Sequence, residues 1–414
     1  MATQKILTRD FVLNFLTQFA FSFVSFILVP TIPVYLSRFE AKAGEIGFLI
    51  GILSVFSLIP RPFIGRALLR IPERKFMMAG AMLYVLSSIA YLAAPPFWPF
   101  LIVRITQGVG LAFFSTASVA LIANSTPENR RGQIISYYFL SYNFAFALAP
   151  YFGMLLINQF GFTALFLVCT ALSLCTLLIT LKLRKIQSVP VESESIQNQP
   201  FLNRDVLPSA IMAFLLNVIW GSLGAFFPLY ALRHDVSNPG IFFAFIAITL
   251  ILGRSLGGRI LDMVTREKVI IPCFIVIIVS IIVLAFSNTL LLFILVAIVF
   301  GTGWAFLYPS LVVYAVENSG PARGPAMGTF TALADLGAGI GPMIMGMILE
   351  WTNYPMMFFF LAITGVMNFL YFCYTIGKKG KGRLVDGWAG EKRNSLSNLN
   401  FNAQSLNVWR IQVV

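Results

Sequence analysis

Residues 61–75 read "RPFIGRALLRIPERK", and residues 254–268 read "RSLGGRILDMVTREK". At an offset of 193, Arg61 meets Arg254, Gly65 meets Gly258, Arg66 meets Arg259 and Lys75 meets Lys268. These stretches place five and four cations between apolar runs of a chain that is 58% hydrophobic. Any reading of the fold has to explain both the charge and the repetition.

The flanks settle the class. A chain of 414 residues with 11% charged residues, 41 Phe and a mean hydropathy of +0.85 has too little interior to hide its apolar surface from water. Apolar runs long enough to cross a ~30 Å hydrocarbon core as helices recur along most of it. Twelve spans are predicted: 11–35, 44–64, 76–95, 98–122, 134–157, 163–183, 207–232, 240–259, 269–287, 290–315, 326–349 and 355–376. Membrane strands would instead give segments of ~10 alternating residues, and none is found. The first span is longer than a signal-peptide core and lacks a small-residue cleavage site, so it reads as retained. The expected class is an all-α polytopic protein embedded in a lipid bilayer.

The net charge of +13 is topological. With both termini in the cytoplasm, the outer loops keep only Arg38, Lys42 and Arg233, and Arg104 lies within a span. The other 25 of the 29 Lys and Arg then fall on the cytoplasmic side, a strong positive-inside pattern. A nucleic-acid partner is not expected, because that footprint would gather on a soluble face. The four cysteines (Cys169, Cys175, Cys273, Cys373) fall within spans and show no metal-ligand spacing. They read as small packing residues. No cofactor is implied.

The offset recurs along the chain. "QGVGLAF" at 107–113 meets "FGTGWAF" at 300–306, "RRG" at 130–132 meets "ARG" at 322–324, and "ALAP" at 147–150 meets "GIGP" at 339–342. "PVY" at 33–35 meets "PLY" at 228–230. Landmarks in constant order and spacing mark a tandem duplication of a six-helix unit running in the same direction in both copies. The expected organisation is a bundle over 1–183, a polar cytoplasmic linker over 184–206, a second bundle over 207–376 and a polar, disordered cytoplasmic tail over 377–414.

The loop motif carries a resemblance. It is similar to the signature between the second and third helices of the major facilitator superfamily, Gly-x-Leu-x-Asp-Arg-x-Gly-Arg-(Lys/Arg), and the likeness extends over residues 10–376. The first copy offers Gly65, Arg66, Arg70 and Arg74, with Leu69 where Asp is expected. The second offers Gly258, Arg259, Asp262 and Arg266. Glycine lets the flanking helices pack closely. The cations hold the loop in the cytoplasm and can pair with carboxylates or helix C-termini of the other half. Such contacts can form a latch that holds in one transport state and breaks in another.

Two charged residues inside spans mark candidate function. Arg104 opens "RITQGVG", 104–110, which resembles the family pattern Arg-x-x-Gln-Gly-x-Gly at Arg104, Gln107, Gly108 and Gly110. A buried arginine costs ~2.5 kcal/mol or more near the centre of a membrane, so it must face a cavity or a partner. The resemblance links this arginine to proton translocation or substrate contact. Asp335 in "FTALADLGAGIGP" is expected near the midplane, where a carboxylate can load and release a proton or pair with a cation such as Arg61 or Arg254. Gly337, Gly341, Pro342 and Gly346 on the same span suit a bendable, closely packed helix. The family arrangement implies a cavity among the spans 11–35, 98–122, 207–232 and 290–315. Its further candidates are Asn14, Gln18, Asn217, Trp220, Trp304 and Tyr308.

No phosphate-cradling loop or paired catalytic groups are found, so neither an ATP-driven pump nor an enzyme is expected. The leading expectation is a monomeric secondary transporter in a bacterial cytoplasmic membrane, resembling the drug and sugar efflux branches. It would export a small organic solute by alternating access, coupled to protons. Metabolite uptake by symport or uniport is the alternative.

Overall fold

A computed structural model describes residues 9–68, 70–95, 97–125, 131–183, 204–263, 266–317 and 323–375, and shows helices and connecting turns. In chain order these are α1 (Arg9–Arg38), α2 (Ala43–Leu58), α3 (Arg61–Ala67), α4 (Glu73–Ala93), α5 (Trp98–Ser125) and α6 (Arg131–Lys182). After a short 3-10 turn come α7 (Leu207–Leu232), α8 (Gly240–Met263), α9 (Arg266–Phe286), α10 (Leu290–Glu317) and α11 (Arg323–Trp351), then α12 (Tyr354–Thr375). Among the described residues, ten helices are long and apolar enough to cross a membrane, and the apolar part of α8, Gly240–Gly253, is shorter. Met1–Val366 forms one compact unit; the second, Met367–Val414, is described only over the end of α12.

Two boundaries differ from the hydropathy reading. The expected spans 134–157 and 163–183 lie in one 52-residue helical run, α6. At ~1.5 Å per residue that is about 78 Å, more than twice a membrane core. It is broken at Gly161, whose φ of 79° and ψ of 179° suit a residue without a Cβ. Conversely, the span expected over 44–64 is interrupted after Leu58, and its second piece, α3, runs three residues further into the charged stretch, to Ala67. Pro60 and Pro62 stand where the first turn of α3 needs no backbone donor, so they start a helix instead of preventing one.

The helices present apolar side chains outward, as lipid-facing helices must. Ile102 and Leu291 are about two-thirds exposed. Trp98 and Trp351, at the ends of α5 and α11, are exposed where a membrane interface favours the indole ring. The interior is aromatic: Phe21 stacks on Phe114 and Phe227 on Phe242, each with centroids 3.8 Å apart.

With no hydrophobic drive between helices in lipid, close backbone approach has to supply the cohesion. α11 packs against both α2 and α7, and α1 against α6 and, more lightly, α7. A Cβ built on Gly51 of α2 would sit 2.1 Å from the Gly339 carbonyl oxygen of α11, and one on Gly337 of α11 would sit 2.2 Å from the Phe214 oxygen of α7. Only glycine allows α11 to touch both neighbours along its length.

Candidate solute cavity and the ion pairs beside it

The cavity begins as helical periodicity. On α1, Gln18, Ser22, Ser25 and Val29 recur every three or four residues, as do Arg104, Gln107, Leu111 and Ser115 on α5. Each set shares one face, and the two faces meet around a cavity of about 260 Å³. Ile50, Leu53 and Ser54 of α2 and Tyr84 of α4 complete one wall; Tyr142 of α6, Trp220 of α7 and Ala338 of α11 close the other. The surface is mainly apolar with a few convergent polar groups, the usual make-up of a small-molecule site.

Arg104 is buried, 6% exposed, and held on three sides. Its Nε donates to the Leu49 carbonyl at 2.9 Å and Nη2 to the Ile50 carbonyl at 3.1 Å, both on α2. Its Nη1 donates to Oε1 of Gln107 at 2.9 Å, and the Tyr91 hydroxyl donates to the same oxygen at 2.6 Å. The guanidinium reaches α2 because Gly108 lets α5 come close: a Cβ there would lie 2.4 Å from the Leu53 oxygen. A second buried network joins Gln18, Ser118 and Tyr138, while Ser25 and Tyr84 share a hydrogen bond of 3.0 Å across α1 and α4.

Of the residues predicted from sequence, Gln18, Arg104, Gln107 and Trp220 come together in this cavity. The others stand elsewhere. Trp304 and Tyr308 of α10 form a ring ladder behind Trp220, with Trp220–Trp304 at 4.7 Å and Trp304–Tyr308 at 6.0 Å, so α10 buttresses the wall instead of lining it. Asn217 returns its amide to the Ala213 carbonyl of its own helix at 2.8 Å. Asn14 is buried outside the lining. Sequence reading missed Tyr84, Tyr91 and the α2 carbonyls; a backbone acceptor carries no residue signature, and Tyr91 acts through Gln107 from another helix.

Asp335 lies outside the cavity and forms an ion pair with Arg61 at the start of α3. It sits twelve residues, about 18 Å, from Arg323 and sixteen, about 24 Å, from Trp351, in the middle stretch of α11. The second ion pair among the described residues, Lys42 to Glu350 at 3.8 Å, joins the opposite end of α2 to α11. Oε2 of Glu350 also accepts the Gly44 N–H at 3.3 Å. Both ion pairs therefore bind the flanks of α2 to α11.

The loop motif separates into parts. Arg74 donates from Nε to the Thr180 carbonyl at 3.2 Å and from Nη2 to Leu181, at the C-terminal end of α6. That is favourable for a cation, yet it lies within the first half of the sequence and not across to the second. Gly65, Arg66 and Arg70 are exposed, and a Cβ on Gly65 would meet nothing within 4 Å. Beside them Glu73 is buried and accepts the Asn124 amide at 2.7 Å. The side chains of Gly258, Arg259, Asp262 and Arg266 lie outside the described residues.

Apolar helices of membrane length around a partly polar cavity mark a multi-pass integral membrane protein with room for a small molecule. The sequence profile of the Major Facilitator Superfamily matches residues 15–323 and 240–411, and the chain belongs to that superfamily. It is 24% identical over 363 residues to the staphylopine export protein of Staphylococcus aureus strain Mu50, covering 83% of this chain and 91% of that protein. It is 25% identical over 377 residues to the multidrug resistance protein MdtG of Klebsiella pneumoniae strain 342, covering 86% and 89%. In fold it is similar to the crystal structure of the nucleoside transporter NupG, with a TM-score of 0.73 at 16% identity over 89% of this chain and 99% of that one. These relatives are transporters, and the chain is a transporter and not an enzyme.

Proposed function

We propose that this protein exports a small organic solute by alternating access, driven by protons moving inward. The observation that carries this reading is the buried Arg104 in a cavity walled by α1, α2, α5 and α7, with a carboxylate–guanidinium pair nearby joining α11 to α3. The export named for the staphylopine relative supports the direction. Twelve crossings follow if α6 crosses twice, on either side of Gly161, and if α3 ends the α2 crossing. They divide into the two bundles 1–183 and 207–376, joined by the 184–206 linker, with both termini in the cytoplasm of a bacterial cell. The molecule works as a monomer.

In this scheme the solute enters the cavity and rests against Trp220, Gln107 and Arg104. Protonation of Asp335 removes its charge and releases Arg61, so the α3 end of α2 can part from α11. Deprotonation re-forms the pair and closes that end. The loop cations anchor this face in the cytoplasm, and Arg74 keeps α6 attached to the first bundle as it moves.

The test is reconstitution of the purified chain in vesicles with an imposed pH gradient and a panel of small aromatic solutes. Gradient-driven movement against the solute gradient is expected, opposite in direction to the proton flow. Movement in the same direction as protons would establish uptake by symport instead, and gradient-independent equilibration would establish a uniporter.

A further inference from the structure

We propose that the solute of this cavity is a small amphipathic anion, its oxyanion held by Arg104 and its apolar body lying on Phe21, Phe26 and Trp220. The inference rests on the transport reading above and adds the charge of the cargo.

The charge balance of the cavity leads to it. The Arg104 guanidinium is 6% exposed and lines the cavity, yet its hydrogen-bond partners are neutral: two backbone carbonyls, the Gln107 amide oxygen and the Tyr91 hydroxyl. No Asp or Glu is in the described lining, and both described ion pairs lie elsewhere. A buried cation without a counter-charge is costly, and an anion delivered to the cavity offsets that cost.

The donor count agrees. A guanidinium has five N–H groups. Three go to the two carbonyls and the Gln107 oxygen and a further one to the Tyr91 hydroxyl oxygen, which leaves one N–H of the guanidinium unused. A carboxylate can accept a charge-assisted bond from it. Gln107 adds to this. Its oxygen faces the Tyr91 hydroxyl and Arg104, both donating to it, so its amide nitrogen remains a further donor in the wall. Gln18, the other amide in the lining, already has its oxygen engaged by Tyr138 and Ser118. The free polar capacity is therefore rich in donors, positive in sign and surrounded by aromatic surface. An organic cation would bring a like charge to Arg104 with no carboxylate in the described lining to receive it. The volume, about 260 Å³, sits just under the ~300–1,000 Å³ of drug-sized pockets and limits the cargo to a small molecule.

Three probes of one shape separate the possibilities: naphthoate, naphthamide and naphthylmethylammonium. Their binding and counterflow exchange are measured on the full chain in vesicles. Naphthoate is expected to bind about tenfold or more tighter than naphthamide, the equivalent of one charge-assisted contact. The ammonium probe is expected to be excluded. Arg104→Gln should reduce naphthoate to the affinity of naphthamide, and Arg104→Lys should retain part of the preference. The ranking on the unaltered chain stands even if a variant fails to fold. Equal affinity across charges, or preference for the cation, with exchange intact would overturn the anion assignment and leave the transporter standing. No binding or exchange of any probe would overturn both.

Discussion

At the residue scale, Arg104 and Asp335 have different work. Arg104, the proposed solute contact, is also a structural tie, because it satisfies two carbonyls on a neighbouring helix. Arg104→Ala leaves those oxygens without that donor, at about 1–3 kcal/mol each where water cannot reach. The variant should lose solute binding and also unfold at a lower temperature in detergent. Tyr91→Phe removes one hydroxyl from Gln107 and keeps the ring packed between Phe100 and Phe166. Its expected cost is about 1 kcal/mol in thermal unfolding, with binding weakened only several-fold. The arginine and glutamine could be read from the sequence because their spacing repeats a helical turn and their polarity interrupts an apolar span. Their partners could not, since backbone carbonyls and a tyrosine sixteen residues away on another helix become neighbours only through packing.

At the element scale, α11 is the shared strut. It meets α2 and α7 through glycines and is tied to the flanks of α2 by an ion pair at either end. The two ties are not equal. Lys42 has a side chain 70% exposed, and such a pair contributes about 0–1 kcal/mol, so Lys42→Ala should change thermal stability by less than that. Gly51 is the more sensitive point. Gly51→Val would drive a branched side chain into the Gly339 carbonyl, cost about 1–3 kcal/mol in overpacking and block exchange by keeping α2 and α11 apart. Equilibrium exchange and thermal unfolding on the same preparation check both effects. Hydropathy located these helices well, because each must bury or expose a membrane-length apolar surface. It ended the second span at residue 64, three residues before the end of α3 at Ala67, because the charges begin there. It also lost the partner of Arg74, which lies at the far end of α6 and not in the second half.

At the scale of the whole molecule, the membrane-length apolar runs of the sequence and the exposed apolar side chains of the described helices lead to the same conclusion: this is a membrane-embedded protein. What the sequence could not supply is which helices meet across the centre. Trp304 reads as a cavity residue in the sequence, yet it packs against the Trp220 ring at 4.7 Å, outside the lining. If the two ends of α2 separate from α11 in turn, a disulfide at one end should arrest transport. With the native cysteines replaced, oxidised Lys42→Cys/Glu350→Cys should stop exchange, and reduction should restore it. Unchanged exchange by the oxidised protein would remove the rocking scheme.

The most direct measurement compares the unaltered chain with Asp335→Asn in vesicles, recording pH-gradient-driven solute movement and gradient-free counterflow on the same preparation. Loss of driven movement with counterflow preserved is expected, because asparagine fills the same space but cannot carry the proton. Driven movement that persists in Asp335→Asn at the level of the unaltered chain would contradict coupling through the Asp335–Arg61 pair.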